Sequence, residues 1–350
     1  MSIQITAETK LSIHSTEPQP RCSVVMPVYN TPVVYLRAAV ESILLQSLRD
    51  FELIVVDDCS EPYVRELIDS YEDARVRYLR MTAQSGAAAA RNRALDVARG
   101  EFVAFMDADD ISLPERLAKQ VAYLDEHPEV SCLGTEYEIF NDKRFKPAPI
   151  VPHDHEGIVS YLHFCGCAFC QSSVMLRRRL LEAPTPLRYR AELEAAHDCA
   201  LWFDLIGRAR FAILDEVLVR YRAHQQSISG RSHALQVRKM AEAQAELLTR
   251  CSGSPFESIE TWPQLLAGAT LTHGEYEAIG RILLQTSATL QQHGYGAEAV
   301  RAALRQRLRK VFLRTHSLRG QWELLRLPLR RQAGLPLWWC CFTFVTRGIF

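Results

Sequence analysis

Between residues 21 and 110, short apolar runs alternate with segments whose apolar residues recur at the spacing of a helix. The apolar runs predict strands at 23–27, 51–56, 76–80 and 102–106. The intervening segments predict helices at 33–48, 64–71 and 86–98. Because strands and helices alternate, and because the run 51–56 is apolar on both faces, the pattern predicts a parallel sheet wound by right-handed crossovers.

Polar residues follow three of the predicted strands: Tyr29-Asn30, Asp57-Asp58 and the run Asp107 to Asp110. In open sheets of this kind, ligands bind outside the carboxyl ends of the strands. Aspartate is rare in strands and unfavourable to bury unpaired, so the run of carboxylates indicates a divalent cation, Mn²⁺ or Mg²⁺, shared with the phosphates of a nucleotide. The alternative is that Asp109 and Asp110 only cap the next helix.

A series of motifs runs through the first two thirds of the chain: Pro27-Val28-Tyr29-Asn30, Val55 to Ser60, Gly86 with Ala90-Arg91-Asn92, Asp107 to Asp110, Leu113 to Leu117, Gln171 to Met175, His197-Asp198 before Leu201-Trp202, and Tyr221-Arg222 with His224 and Ser227-Ile228-Ser229. Their order and spacing resemble glycosyltransferase family 2. The resemblance implies an α/β fold of the GT-A type, a mostly parallel sheet flanked by helices with a helical C-terminal extension. It also implies a metal-dependent, inverting transfer of sugar from a nucleotide donor, expected to be a UDP-sugar, to a glycan or lipid-linked acceptor in cell-surface polysaccharide synthesis.

The resemblance implies that Pro27, Tyr29 and Asp57 bind the nucleobase and ribose of the donor. Backbone groups and one carboxylate can bond a pyrimidine edge and sugar hydroxyls. For Tyr29 the alternative is simple packing of its ring. Asp58 is expected to be structural, with a side chain that bonds the backbone of its own turn.

Arg91 and Asp107 are expected to lie beside the ribose and the diphosphate. In the family the matching arginine faces the donor, and a guanidinium offers phosphate oxygens a planar set of hydrogen-bond donors. The alternative for Arg91 is a solvated position on the helix surface. Asp107 resembles the first member of the family's DXD motif, which contacts the ribose or a metal-bound water.

Asp109 resembles the last member of the same motif, which implies that it binds the metal directly. Asp110 is expected to support the loop or to cap the following helix. His224 belongs to the segment that resembles the family's Tyr-Arg-x-His. It is expected either to join the Mn²⁺ or Mg²⁺ shell or to order a loop over the diphosphate.

Asp198 is the expected general base, because it matches the second residue of an acidic pair that starts a helix in the family. The chain departs from the family at His197, where a glutamate is usual. Asp198 accepting the proton of the acceptor hydroxyl, on the far side of the sugar from the diphosphate, gives inversion in a single displacement. The alternative is that Asp198 only caps a helix at 199–207.

The chain is expected to comprise a flexible leader at 1–20, a catalytic domain at 21–230 (donor half 21–125, acceptor half 151–229), a helical extension at 231–300 and a basic aromatic tail at 301–350. The tail holds eleven Lys and Arg residues against the single acid Glu323, and it includes Trp338-Trp339. This composition is typical of a segment on an anionic membrane surface. The alternative is a helical tail packed on the catalytic domain or on another subunit. Nucleic acid is a competing partner for a basic segment, but no nucleic-acid module accompanies it.

Residues 1–20 lack the apolar core of a signal peptide, so a cytoplasmic protein is expected, peripheral on the inner face of the membrane if the tail binds lipid. The chain's 41 basic and 41 acidic residues balance, and its ten cysteines are expected to stay reduced. A zinc site at Cys165, Cys167 and Cys170 with His163 is disfavoured, because two separated ligand pairs are missing.

Two other functions stay open at this point. One is a nucleotide-sugar-binding protein without turnover, which is disfavoured because Asp198 is retained. The other is a nucleotidyltransferase, which needs a glycine-rich basic loop after the first strand, whereas Pro27 to Pro32 contains neither Gly nor Lys.

Overall fold

The computed structural model of the chain describes residues 19–141, 144–182, 184–224, 233–253, 261–266, 269, 271–314, 328 and 332–334. The strands are β1 (Cys22–Val28), β2 (Phe51–Asp57), β3 (Val76–Arg80), β4 (Phe102–Phe105), β5 (Ile111–Ser112), β6 (Val130–Asn141), β7 (Arg144–Pro147), β8 (Met175–Arg177) and β9 (Arg210–Arg222). The helices are α1 (Val33–Leu44), α2 (Pro62–Asp69), α3 (Gly86–Val97), α4 (Arg116–Glu126), α5 (His155–Phe164), α6 (His197–Leu205), α7 (His233–Ser252), α8 (Thr261–Leu266), α9 (His273–Gln292) and α10 (Ala297–Arg314).

The described strands form one sheet in the order β3-β2-β1-β4-β8-β6-β9-β5, with β7 paired to β6. The first four neighbours are parallel, as the apolar runs predict. Beyond β4 the sheet becomes mixed, because β8 pairs antiparallel with both β4 and β6, whereas β6 and β9 are parallel. The α/β fold with a helical C-terminal region is therefore confirmed, and the parallel arrangement belongs to its first half.

Apolar side chains cover both faces of the sheet. Alternation along β1 sends Val25 to one face and Val24 and Met26 to the other, as the strand period requires. The face that receives Val24 is covered by α1, α2 and α4. The opposite face is covered by α3, α5, α6 and the C-terminal helices, with the fully buried Trp202 packed edge-on against Phe105. This double cover holds the carboxyl ends of β1, β2 and β4 in fixed positions.

Helix α1 ends at Leu44, four residues before the predicted end. The reason is Gln46, whose fully buried amide donates to the Leu113 carbonyl at 2.7 Å and accepts from the backbone N–H of Leu117 at 3.0 Å. The backbone leaves the helix so that this side chain can satisfy the polar groups that precede α4. Gln46 thus ties α1 to the segment that follows Asp110.

The C-terminal helix α10 packs against α5, and its residues Val300, Leu304 and Leu308 belong to the main apolar core. Arg307 is buried and donates from Nε to the carbonyl of Phe164, the last residue of α5. The expected boundary between 300 and 301 therefore falls inside a helix. For residues 301–311, the alternative of packing on the catalytic domain is what the structure shows.

Several sequence predictions fall outside the described residues: the leader through residue 18, Ser227-Ile228-Ser229, and nearly all of the tail beyond 314, including Trp338-Trp339. Within the described part of the chain, no helix combines the length and the apolar character that a membrane crossing needs.

Gly100 shows how closely the sheet and its connections approach. It lies between α3 and β4, is buried, and donates its N–H to Ser23 Oγ at 2.8 Å. A Cβ at this position would lie 2.4 Å from the backbone nitrogen of Ser23. We expect Gly100→Ala to lower the free energy of unfolding by about 1–3 kcal/mol, because overpacking must displace backbone. Urea denaturation measures the change.

Gly274→Ala is the matched control, because a Cβ there meets no atom within 4 Å and the residue lies in the first turn of α9. Its free energy of unfolding should be unchanged or slightly raised. Equal stability of the two variants would contradict the close approach at Gly100.

Candidate active site

The loops after β1 and β2 lie side by side at the carboxyl edge of the sheet. Asn30, with a φ of 49°, accepts the N–H of Glu61 on its Oδ1 at 2.9 Å, and its own N–H donates to Ser60 Oγ at 3.0 Å. Pro27 lies in β1 beside Val56, and Tyr29 is 47% exposed, so simple packing does not account for the tyrosine. The two loops form one surface beside the strand ends.

Asp57 lies at the same edge but is fully buried. Its Oδ1 accepts the N–H of Ser60 at 2.7 Å, and its Oδ2 accepts from Arg80 at 2.7 Å and from the Tyr78 hydroxyl. Asp57 therefore organises its own turn and the end of β3, and its contact with a nucleobase stays a prediction. Arg80 is half exposed at this edge and was not predicted from the sequence; its position as the last residue of a parallel strand is the signal that could have found it.

Asp58 is structural, as predicted, but through different partners. Its carboxylate accepts the N–H groups of Ser85 at 2.7 Å and Gly86 at 2.8 Å, instead of bonding its own turn. Gly86 has a φ of +87°, a conformation that favours glycine. The two hydrogen bonds to Asp58 fix the beginning of α3, the helix that carries Arg91.

Arg91 is buried, so the alternative of a solvated surface arginine is wrong. One Nη donates to Asp107 Oδ1 at 2.5 Å, and the other lies 2.6 Å from His197 Nε2. The ring of Tyr189 lies under the guanidinium, 5.5 Å from its carbon. Because a guanidinium can only donate, His197 accepts through Nε2 and is neutral, with its proton on Nδ1. Of these two hydrogen-bond partners of Arg91, Asp107 carries a charge and His197 does not.

Burial and the charge of Arg91 lower the pKa of His197 to about 4. The unfolded chain binds a proton on this imidazole below about pH 6.5, whereas the folded chain does not until about pH 4. The free energy of unfolding should therefore fall as the pH drops through this range. We expect His197→Gln, which keeps an acceptor for Arg91, to lose less stability between pH 7 and pH 5. Urea denaturation at both pH values measures this, and parallel losses in the two proteins would contradict a neutral His197.

Asp109 and His224 meet at the other side of the strand end. His224 Nε2 lies 2.8 Å from Asp109 Oδ2, although the two residues are 115 positions apart in the chain. Strand β9 produces this meeting, because Arg222 at its end donates from Nε to the Asp109 carbonyl at 2.8 Å. Both side chains are partly exposed. A carboxylate oxygen and an imidazole nitrogen facing each other can hold a divalent cation between them.

Asp110 supports the loop, and Glu115 occupies the cap position of α4. Asp110 is fully buried and accepts from Ser172 Oγ at 2.5 Å and from the N–H of Arg222 at 2.8 Å. Burial and the charges of Asp109 and Asp107 raise the pKa of Asp110 well above its ordinary value. Loss of solvation also raises the pKa of Asp107 against the opposing charge of Arg91. A bound divalent cation would offset the repulsion among the carboxylates of Asp107, Asp109 and Asp110. The residues present therefore fit a metal ion.

Asp198 lies in the first turn of α6, and its Oδ1 accepts the N–H of Cys199 at 2.8 Å. The cap position is held by Ala196 in the left-handed conformation, with a φ of 57°, so the alternative that Asp198 only caps this helix is wrong. Its carboxylate is partly exposed, and its charge contributes to the raised pKa of Asp107, after burial and Asp109. Asp198 is therefore placed beside the strand end and open to solvent.

The cysteines are arranged differently from the disfavoured zinc set. His163 is buried and bonds the Val159 carbonyl through Nδ1 at 2.8 Å, and Cys165 donates to the Ala303 carbonyl at 3.4 Å. Cys167 instead lies near Asp198 and Cys199. Hydrogen bonding with Cys167 and burial raise the pKa of the Cys199 thiol well above its ordinary value.

The carboxyl edge of the sheet, where ligands bind in open α/β folds, carries Arg91 with Asp107, Asp109 with His224, and a partly exposed Asp198, as expected of a glycosyltransferase of the GT-A fold. The comparisons with known proteins agree: the chain belongs to glycosyl transferase family 2, whose family model matches residues 23–183. An uncharacterized glycosyltransferase of Methanocaldococcus jannaschii is 32% identical over 213 residues, which cover 58% of this chain and 71% of the relative.

The UDP-Glc:alpha-D-GlcNAc-diphosphoundecaprenol beta-1,3-glucosyltransferase WfgD of Escherichia coli is 29% identical over 212 residues, covering 59% of this chain and 79% of that protein. Among solved structures, S. aureus TarS 1-349 in complex with UDP-GlcNAc superposes with a TM-score of 0.55 at 20% identity, covering 85% of this chain and 91% of that one. The structural likeness supports the GT-A fold and carries no residue roles.

Proposed function

We propose that the protein is a metal-dependent, inverting glycosyltransferase that moves a sugar from a UDP-sugar to a glycan or lipid-linked acceptor in cell-surface polysaccharide synthesis. The observation that carries the proposal is the pairing of Asp109 with His224 at 2.8 Å, next to the carboxylates of Asp107 and Asp110. Partly exposed oxygen and nitrogen ligands in this position suit Mn²⁺ or Mg²⁺. When bound, such a cation would neutralise charge on the departing nucleoside diphosphate.

The choice of donor rests on the relatives. The E. coli relative is named for UDP-Glc and a diphosphoundecaprenol acceptor, and the TarS structure contains UDP-GlcNAc. Tyr29, Pro27 and Asp57 lie at the strand ends where the nucleoside is expected. A UDP-sugar is therefore the first donor class to test, and a lipid-linked glycan is the first acceptor class.

Arg91 supplies a hydrogen-bond donor on the phosphate side. Its Nη atoms are held by Asp107 and His197, whereas its buried Nε has no hydrogen-bond partner among the described residues. A buried donor without a partner destabilises a protein by about 1–3 kcal/mol, so an oxygen of the bound donor that reaches it would be favoured. Tyr189, packed under the guanidinium, keeps the group in place.

Asp198 completes the mechanism as the group that accepts the proton of the acceptor hydroxyl. Its carboxylate is partly exposed and is oriented by the N–H of Cys199. The fixed beginning of α6, where His197 bonds Arg91, sets its distance from the donor side. Attack from the face opposite the diphosphate then inverts the anomeric centre.

A screen of UDP-, GDP- and CMP-sugars tests the function, with release of nucleotide measured in the presence of Mn²⁺ and again after chelation. We expect metal-dependent hydrolysis of one UDP-sugar and faster turnover with a lipid-linked acceptor. Metal-dependent binding without turnover on any acceptor would support the binding-protein alternative. Transfer of a nucleotidyl group from a nucleoside triphosphate would support the nucleotidyltransferase.

We also propose that the tail attaches the enzyme peripherally to an anionic membrane, where a lipid-linked acceptor resides. Because residues 301–311 are packed on the domain, deletion of the whole tail would remove core side chains. We expect the full chain to sediment with anionic vesicles at low ionic strength, at roughly 1 kcal/mol per basic residue near the surface. Neutral vesicles should bind it much less.

Replacing Trp338 and Trp339 with Ala tests the same proposal without touching the described core. The variant should sediment less with anionic vesicles and retain UDP binding. Sedimentation unaffected by the double substitution, by salt and by lipid charge would leave no membrane role for the tail.

A further inference from the structure

Two thiols converge on the carboxylate of Asp198. The Sγ atoms of Cys167 and Cys199 and a carboxylate oxygen of Asp198 all lie within 4.8 Å of one another. Cys199 follows Asp198 in the first turn of α6, whereas Cys167 comes from the segment after α5. Cys199 is buried, and the other two are partly exposed. The cluster is therefore anchored on one side and open to solvent on the other.

The chemistry of this cluster differs from that of Asp109 and His224. Thiolates prefer Zn²⁺ and Cd²⁺, whereas Mg²⁺ and Mn²⁺ prefer oxygen ligands. In a tetrahedral zinc site, neighbouring ligand atoms are roughly 3.5–3.8 Å apart, so each distance in the cluster needs to shorten by at most about 1 Å. Three protein ligands with one side open leave the fourth position to water.

We propose that Cys167, Cys199 and Asp198 form a zinc site that inhibits sugar transfer by coordinating the carboxylate of the general base. The binding half of this proposal concerns the three side chains alone, and the inhibitory half rests on the proposed function. A carboxylate bound to Zn²⁺ is a weaker base, because the cation holds the electron pair that would accept the proton. Donor binding, at the other side of the strand end, should be unaffected.

The metal alone tests binding. The reduced full chain is titrated with Cd²⁺, and the thiolate-to-metal charge-transfer absorption is recorded. We expect the full chain and Cys251→Ser, which alters a partly exposed cysteine elsewhere, to bind one more Cd²⁺ than the double variant Cys167→Ser/Cys199→Ser. Cys340 and Cys341 are present in every protein compared, so the difference reports the cluster. Cys167→Ser alone is titrated as well, because it changes only a partly exposed side chain and should lose the same Cd²⁺ even if the double variant misfolds. Identical titrations of the full chain and the cysteine variants would overturn the site.

Transfer measured at saturating Mn²⁺ with added Zn²⁺ tests inhibition. Each protein is compared with its own rate without Zn²⁺. The full chain should lose about 10²-fold or more, the contribution expected of a general base. The residual rate of Cys167→Ser should not respond to Zn²⁺. Equal inhibition of both would place the ion at Asp109 and His224 and overturn the proposal. Cd²⁺ binding by a chain that transfers no sugar would refute the proposed function and leave the binding site standing.

Discussion

Asp109→Ala should abolish sugar transfer and metal-dependent UDP binding together. The physical reason is that Asp109, paired with His224 at 2.8 Å, is expected to join the cation to the protein, and the cation in turn holds the diphosphate. Calorimetry with UDP, with and without Mn²⁺, measures the metal-dependent part of the affinity. In the variant that part should vanish, and the weak metal-independent affinity should remain.

Asp215→Ala is the matched control, because it removes a carboxylate from an exposed position on β9. It should bind UDP and Mn²⁺ as the unaltered chain does. His224→Ala distinguishes the two expectations for that residue. If His224 binds the metal, His224→Ala should lower the metal-dependent affinity for UDP. If His224 only orders a loop, the variant should keep the Mn²⁺ dependence of UDP binding. Undiminished Mn²⁺-dependent affinity in Asp109→Ala would remove Asp109 from the metal site.

Asp198→Asn should keep donor affinity and lose most of the transfer rate. General-base assistance typically contributes about 10²- to 10⁴-fold, and asparagine retains the size of the side chain and its bond to the N–H of Cys199. The measurement pairs UDP calorimetry with the rate of transfer to an acceptor. We expect the affinity to change little and the rate to fall by the stated factor.

Asp204→Asn makes the same substitution six residues later in α6, where the carboxylate pairs with Arg190 at 2.8 Å. It should affect stability more than transfer. An active Asp198→Asn enzyme would exclude Asp198 as the base. A collapse of donor affinity would instead indicate that Asp198 has a structural role.

The first half of the fold could be predicted from the sequence, because strands buried on both faces are continuous apolar runs. The predicted strands at 23–27, 51–56, 76–80 and 102–106 lie within one residue of β1 to β4 at each end. The end of α1 was not predictable, since Gln46 leaves the helix to satisfy backbone groups 67 positions away. The antiparallel strands β6 to β8 give no comparable signal, and their pairing depends on distant partners.

The candidate site was predictable as a set of positions but not as a set of contacts. Asp107, Asp109 and Asp198 stand out because each belongs to a short motif. The bonds of Arg91 to His197 and of Asp109 to His224 join residues 106 and 115 positions apart, and no local pattern specifies them. The hydrogen-bond partners of Asp57 and Asp58 were unpredictable for the same reason. Asp57 and Asp58 are adjacent in one turn, and the sequence does not show that Asp57 accepts the N–H of Ser60 whereas Asp58 accepts the N–H of Ser85.

The packing of α10 on α5 limits how this enzyme can be recombined with its relatives. A chimera that joined this catalytic domain to a foreign C-terminal region at residue 300 would expose the apolar side of α5 and leave the Phe164 carbonyl without Arg307. A chimera should therefore keep its fold only if α10 and α5 are taken from the same protein. The two helices form a single packing unit, although Phe164 and Arg307 lie 143 residues apart in the chain.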